Sequence, residues 1–329
     1  MTRTIRTSTM ILFALVAVHG LGLGRARADY PERPITMVVP FAAGGPTDVV
    51  ARIVAEHMSR TLGRQIVIEN VAGAGGTTGT LRAAKAAPDG YTIIMGHMGT
   101  HGAAPAAYPN LKYDPRKDFA PIGLAAGTPI LIVARKNFPA ANLKEFIAHV
   151  KANSAKLNEA HAGPGSVSFT TCLLFNSLVG AKPTRVVYKG TGPALNDLVA
   201  GHVDYMCDQI VNLVPQIQAN TIKAYAIALA QRSPALPNVP TTKEAGLPEF
   251  QAIAWNAIFA PKGTSPDIVK KLNDALKKAL ADEKTRKRLL DLGSDLSNVN
   301  AQTPEGLGKL VESEVARWNK VVKEAAPGK

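Results

Sequence analysis

Short apolar runs alternate with longer segments of helical period along nearly the whole chain. ITMVVPF (35–41), QIVIENV (65–71), YTIIMG (91–96), ILIVARK (130–136), RVVYKG (185–190), VDYMCD (203–208), KAYAIALA (223–230) and AIAWNAIFAP (252–261) nearly all end at a glycine or polar turn, which predicts strands. Between them, apolar residues recur every three or four positions. Val50, Ile53, Val54, His57, Met58 and Leu62 mark one helix face, with Thr47 or Asp48 as its N-cap. Ile268, Leu272, Leu276 and Leu280 mark a second face behind Ser265-Pro266, and the last helix starts at Thr303-Pro304 and carries Leu307, Val311, Val315 and Trp318. Strands alternating with helices in this way predict an α/β protein with mostly parallel sheets covered on both faces.

Two extended apolar stretches interrupted by Gly or Pro, 120–136 and 222–240, have the character of crossings between lobes. They divide the chain into lobe one (29–122 plus 240–329) and lobe two (123–239), a two-lobe, Venus-flytrap architecture with a two-crossing hinge.

The first residues carry Arg3 and Arg6, an apolar core from Met10 through Val18, and the small-residue ending Ala26-Arg27-Ala28. That is the pattern of a secretory signal peptide over residues 1–28, with cleavage after Ala28. Its core is too short for a membrane anchor, which needs about 20 apolar residues. Removing it leaves 301 of 329 residues and lowers the formal charge from +13 to +9. Basic residues are nonetheless spread out, and the densest cluster, 282–291, is flanked by acids on a helical pattern. Aromatic residues are only 5% of the chain and do not interleave with basic ones, so a nucleic-acid platform is excluded. Cys172 and Cys207 are the only cysteines. Either they pair in an oxidising compartment or they are two separate buried thiols, and their spacing suggests no metal site.

Three glycine loops each end a strand and start a helix: FAAGGPTD (41–48), NVAGAGGTTG (70–79) and HAGPGSVS (161–168). In open α/β sheets such loops line the ligand crevice, and the freed N–H groups at a helix start favour an anion. The second loop has GxGxxxG spacing rather than GxGxxG, and no acid ends the following strand, which argues against a dinucleotide. GPGSV (163–167) lacks the second glycine of a nucleophile elbow. His97 and His101 are four apart, but the glycines around them disfavour a metal-binding helix and place them in a loop near the cleft. In the stretch 186–209, Tyr188 and Lys189 end one strand and Asp208 ends another. Both ends point toward the same cleft, with two readings open for Asp208: orienting a group there, or capping the next helix.

Taken together, YPERPITMVVPFAAGGPTDVVAR, IVIENVAGAGGTTGT, PDGYTIIMG, LKYDPRKDFAPIG, VVYKGTGPALNDLVAGHVDYMCD and GLPEFQAIAWNAIFAPKGTSPDIVKKLN resemble the Bug-type solute receptors of tripartite tricarboxylate transporters. The resemblance covers essentially all of the chain after residue 28. It implies a periplasmic binding protein, without cofactor or metal, that delivers a carboxylate to membrane permease subunits driven by an ion gradient. It also implies a carboxylate grip by Phe41, Ala42, Ala43, Gly44, Gly45, Thr47 and Asp48 of the first loop and by Gly163, Gly165, Ser166 and Ser168 of the third. Gly75, Gly76, Thr77 and Thr78 stand alongside, and Tyr188, Lys189 and Asp208 complete the candidate set. Relatives often have a histidine where this chain has Phe169, whose phenyl face would suit an aromatic acid if it is not simply core. The expected ligand is a dicarboxylate, tricarboxylate or aromatic acid, and the expected state a monomer. The competing reading is an exported hydrolase or transferase using the same crevice, for which nucleophile, base and orienting acid are not evident.

Overall fold

The computed structural model describes residues 30–325, so the expected signal peptide lies outside the described residues. In chain order the elements are β1 (Ile35–Val39), α1 (Pro46–Leu62), β2 (Ile66–Asn70), α2 (Thr77–Ala84), β3 (Thr92–His97), α3 (Ala104–Ala107), β4 (Phe119–Arg135), α4 (Leu143–Asn153), β5 (Asn158–His161) and α5 (Val167–Val179). They continue with β6 (Thr184–Val187), α6 (Thr191–Ala200), β7 (Tyr205–Gln209), α7 (Ile210–Gln218), β8 (Ile222–Ile227), β9 (Ile253–Pro261), α8 (Pro266–Ala281), α9 (Glu283–Asp291) and α10 (Pro304–Ala325).

The strands follow one path, β2-β1-β3-β9-β4-β7-β5-β6, with β8 beside β4. Between the named strands, parallel pairing is confined to the triplets β2-β1-β3 and β6-β5-β7, and every antiparallel pairing involves β4 or β9. The expected parallel sheets are thus the centres of two lobes, and the sheet as a whole is mixed. Successive strand residues feed opposite cores: Ile35, Met37 and Val39 pack with α1 and α8, while Val38 and Ile94 pack on the side of α5 and α10.

β4 is twice as long as its apolar signal. Its first half, rich in Gly, Ala and Pro, pairs with β9, and its second half pairs with β7 and β8. Small residues in the first half serve packing: a Cβ on Gly123 would stand 2.8 Å from the Gln302 carbonyl oxygen and 3.0 Å from Asn273 Nδ2. The stretch 222–240, expected as the return crossing, forms β8 and the turns after it and stays beside the second half of β4. Ala228 N–H donates to the Ile130 carbonyl at 2.8 Å, and Phe250 packs 6.0 Å from Phe175 of α5. The chain returns with β9, whose Ile253 opposes Pro129.

Three local results differ from the sequence pattern or decide between its alternatives. The N-cap of α1 is Gly45, with Pro46 in the first turn, rather than Thr47 or Asp48. β5 gave no apolar signal because Glu159 and His161 are buried in it; Asn176 Nδ2 donates to the Glu159 carboxylate, and Tyr205 O–H donates to Asn176 Oδ1 at 2.8 Å. Cys172 of α5 and Cys207 of β7 form a disulfide, with their Cα atoms 5.2 Å apart.

Candidate functional site

Four helices begin at one narrow cleft between the lobes. α1 starts after Gly45, α5 after Ser166, α6 after Gly190 and α7 after Gln209, and residues of all four starts line it. Each helix directly follows a strand, so the connections put these starts at the same edge of the sheet. The first N–H groups of a helix have no intrahelical partner, and its dipole adds partial positive charge there. No lysine or arginine is among the described residues that line the cleft, despite the basic surplus of the chain. What the lining offers an anion is backbone N–H groups and neutral side chains.

From the first lobe come Phe41, Gly45, Thr47, Asp48 and His97. Asp48 is buried and fully engaged: Oδ2 accepts from Gly44 N–H (3.0 Å) and Arg52 Nε (2.9 Å), and Oδ1 from Arg52 Nη2 (3.0 Å) and Asn70 Nδ2 (2.9 Å). Burial alone would raise its pKa, but the Arg52, Gly44 and Asn70 bonds together outweigh it and hold the carboxyl below the usual range. His97 Nδ1 accepts from Thr100 N–H at 3.1 Å, which leaves its proton on Nε2. Burial pushes its pKa down to about 4, so it stays a neutral donor. The ring stacks 4.8 Å from Phe41.

The second lobe contributes Ala162, Ser166, Ser168, Thr191, Asp208 and Gln209. Ser166 Oγ caps α5 by accepting from Phe169 N–H at 3.2 Å, and Ser168 Oγ accepts from Ala162 N–H at 3.0 Å. Gln209 Oε1 accepts from Thr128 Oγ1 (2.6 Å) and Asn256 Nδ2 (2.9 Å), so the Nε2 hydrogens are the amide's uncommitted donors. Asp208 is 1% exposed. One oxygen, Oδ2, accepts from Asn212 Nδ2 at 3.1 Å, while Oδ1 has no partner among the described residues. Burial pushes its pKa up to about 6, partly opposed by the nearby Thr191 hydroxyl and Gln209 N–H and by the Asn212 bond.

Beside the cleft the lobes meet through backbone carbonyls. Ala42 N–H donates to the Lys189 carbonyl at 3.0 Å, and Tyr108 O–H to the Pro164 carbonyl at 2.8 Å. Glycines make this approach feasible. A Cβ on Gly192 would stand 2.5 Å from the Ala43 carbonyl oxygen, and one on Gly75, where φ is +62°, would overlap the Pro164 carbonyl.

The structure therefore brings Phe41, Gly45, Thr47, Asp48, Ser166, Ser168 and Asp208 together in the cleft. Ala42, Ala43, Gly75, Gly163 and Gly165 lie in the seam beside it, and Lys189 enters only through its carbonyl. Gly44 ties off Asp48, and Gly76 lies against the Phe41 ring. Three expectations change. Thr77 and Thr78 face a separate groove toward Tyr108–Tyr113, with Thr77 Oγ1 donating back to the Ala74 carbonyl at 2.9 Å. Tyr188 O–H is spent on Asp197 Oδ2 at 2.6 Å, outside the cleft. Phe169 packs edge-on to His161 and under Arg185 rather than lining the cleft. Of the two loop histidines, His101 is core, stacked 4.1 Å from Phe259, and only His97 reaches the cleft. Thr191 and Gln209 were not foreseen; their one available signal was a polar residue between a strand and the helix after it.

Residues 50–326 match the model of the tripartite tricarboxylate transporter family receptor. The MatC protein of Rhodopseudomonas palustris with bound malate is 52% identical, with a TM-score of 0.87, covering 89% of this chain and 100% of that one. The periplasmic binding protein BugD is 44% identical with a TM-score of 0.87, covering 90% and 98%. A second R. palustris protein, with adipate, is 34% identical with a TM-score of 0.86, covering 90% and 98%.

Proposed function

Given that the chain belongs to the receptor family of the tripartite tricarboxylate transporters, we propose that it is exported by cleavage after Ala28 and works as a monomer in the periplasm. There it closes on a small carboxylate and hands it to membrane permease subunits. The observation that carries this reading is the convergence of four helix starts on a cleft without a lysine or arginine in its lining. Hydrogen bonds to a charged group contribute roughly 1.5–3 kcal/mol each, and micromolar affinity needs about 8 kcal/mol. Four or five such bonds, less the cost of ordering and closure, suffice. The malate and adipate in two related structures favour a dicarboxylate, and the position of Phe169 removes the particular support for an aromatic acid.

The lobes rotate about β4 near Thr128 and about the start of β9, with lobe two extended from residue 239 to about residue 252. The bound acid leaves chemically unchanged, because the Ser166 hydroxyl serves as a helix cap rather than as a nucleophile held by a base. Native mass spectrometry of gently purified protein is expected to show a retained small acid and, on release, the same acid. Accumulation of a different product would favour the hydrolase reading. Ser166→Ala is expected to weaken carboxylate binding by about 1–3 kcal/mol; equal affinities for it and the remote Ser313→Ala would show that the second-lobe grip lies elsewhere.

A further inference from the structure

We propose that Asp208 reads a hydroxyl group on the ligand, so that the preferred solute is a 2-hydroxycarboxylate rather than a plain one. The inference rests on the carboxylate reading of the cleft. Asp208 is almost fully buried in the cleft wall, yet Oδ1 has no partner among the described residues. An anionic ligand beside an anionic, unmatched oxygen is repelled, and in a site of low dielectric that repulsion is large. A donor on the ligand both removes it and satisfies the oxygen.

The carboxylate, amide and imidazole acceptors elsewhere in the lining are taken. Asp48 receives Gly44, Arg52 and Asn70, Gln209 Oε1 receives Thr128 and Asn256, and His97 Nδ1 receives Thr100. Ser166 and Ser168 each accept a backbone N–H. An ammonium brings three donors, whereas a hydroxyl brings one, and one carboxylate oxygen is open. Asp208 stands two residues before the first residue of α7 and lines the cleft with the starts of α5 and α6. A carboxylate held by those starts places the adjacent carbon, and its hydroxyl, next to Oδ1.

The test is calorimetric titration of the whole mature protein at pH 8 with matched acids: lactate and propanoate, malate and succinate, 2-hydroxyglutarate and glutarate. Both enantiomers of each hydroxy acid are used, in two buffers of different ionisation heat. For the pair that binds, one hydroxy enantiomer is expected to bind at least tenfold more tightly than the plain acid, without proton uptake. Asp208→Asn is expected to bring the two within about threefold, mainly by tightening the plain acid. Equal affinities in the wild type, an unchanged ratio in Asp208→Asn, or uptake of a proton with each acid would overturn the assignment while leaving carboxylate binding intact. Absence of binding by all pairs while adipate binds would overturn the assignment alone, and absence of binding by adipate as well would overturn both readings. If Asp208→Asn does not fold, the wild-type ratio and proton count decide alone.

Discussion

The two walls of the cleft solve the same problem with different materials. The first-lobe wall is braced by a closed polar network in which every oxygen of Asp48 is used and His97 is fixed in one tautomer. The second-lobe wall is tied by the disulfide between α5 and β7, the two elements that carry Ser166 and Asp208 to the cleft. It also contains acids that burial makes reluctant to ionise, Asp208 at the surface of the cleft and Glu159 behind it. A satisfied network gives a fixed shape, whereas an unsatisfied acid held in place by a covalent tie remains available to a ligand.

The largest effect is expected from the tie. Replacing both Cys172 and Cys207 by Ser should destabilise the protein by about 3–4 kcal/mol, the chain-entropy value for a loop of this length. Denaturant unfolding measures it, and a loss below about 1 kcal/mol would mean that packing alone holds this wall.

Next is Glu159. Burial, partly offset by Arg185 and Asn176, raises its pKa from 4.5 to about 7. A folded-state pKa above the unfolded value gives stability that is full below pH 4.5 and lost as pH rises through about 7. Glu159→Gln should therefore stabilise the protein by about 2–3 kcal/mol at pH 8, with the gain fading to nothing below the unfolded pKa. A gain independent of pH would show that ionisation is not the cost.

The smallest expected effect concerns the meeting of the walls. Gly192 sits in the first turn of α6 with no positive φ, so alanine suits the helix, yet its Cβ would press on the Ala43 carbonyl across the seam. Gly192→Ala should leave the melting temperature equal or higher while weakening solute binding about tenfold, or about 1.4 kcal/mol. It should also leave the radius of gyration larger in the presence of ligand. Undiminished affinity would mean that the walls bind without this close approach.

Periodicity in the chain reveals most strands and the helices α1, α8 and α10, because apolar burial leaves a regular trace. β5 escapes it since two of its four residues are buried ionisable ones, Glu159, bonded to Asn176 of α5, and His161. The first half of β4 escapes because close packing demanded small residues rather than β-branched ones. At the cleft, the glycine loops announce Gly45 and Ser166, but Thr191 and Gln209 are single polar residues without a motif. The disulfide was undecidable for a similar reason: spacing along the chain does not say that α5 lies on β7.

Because the 17-residue β4 supplies strand edges to both lobes, neither lobe is a module that can be lifted out. A gene fragment ending before β4 would express only the triplet β2-β1-β3, with the edge of β3 bare and open to pairing with other chains. Anyone splitting this protein for a two-part reporter, or grafting one wall of its cleft onto another scaffold, would have to carry the whole strand along.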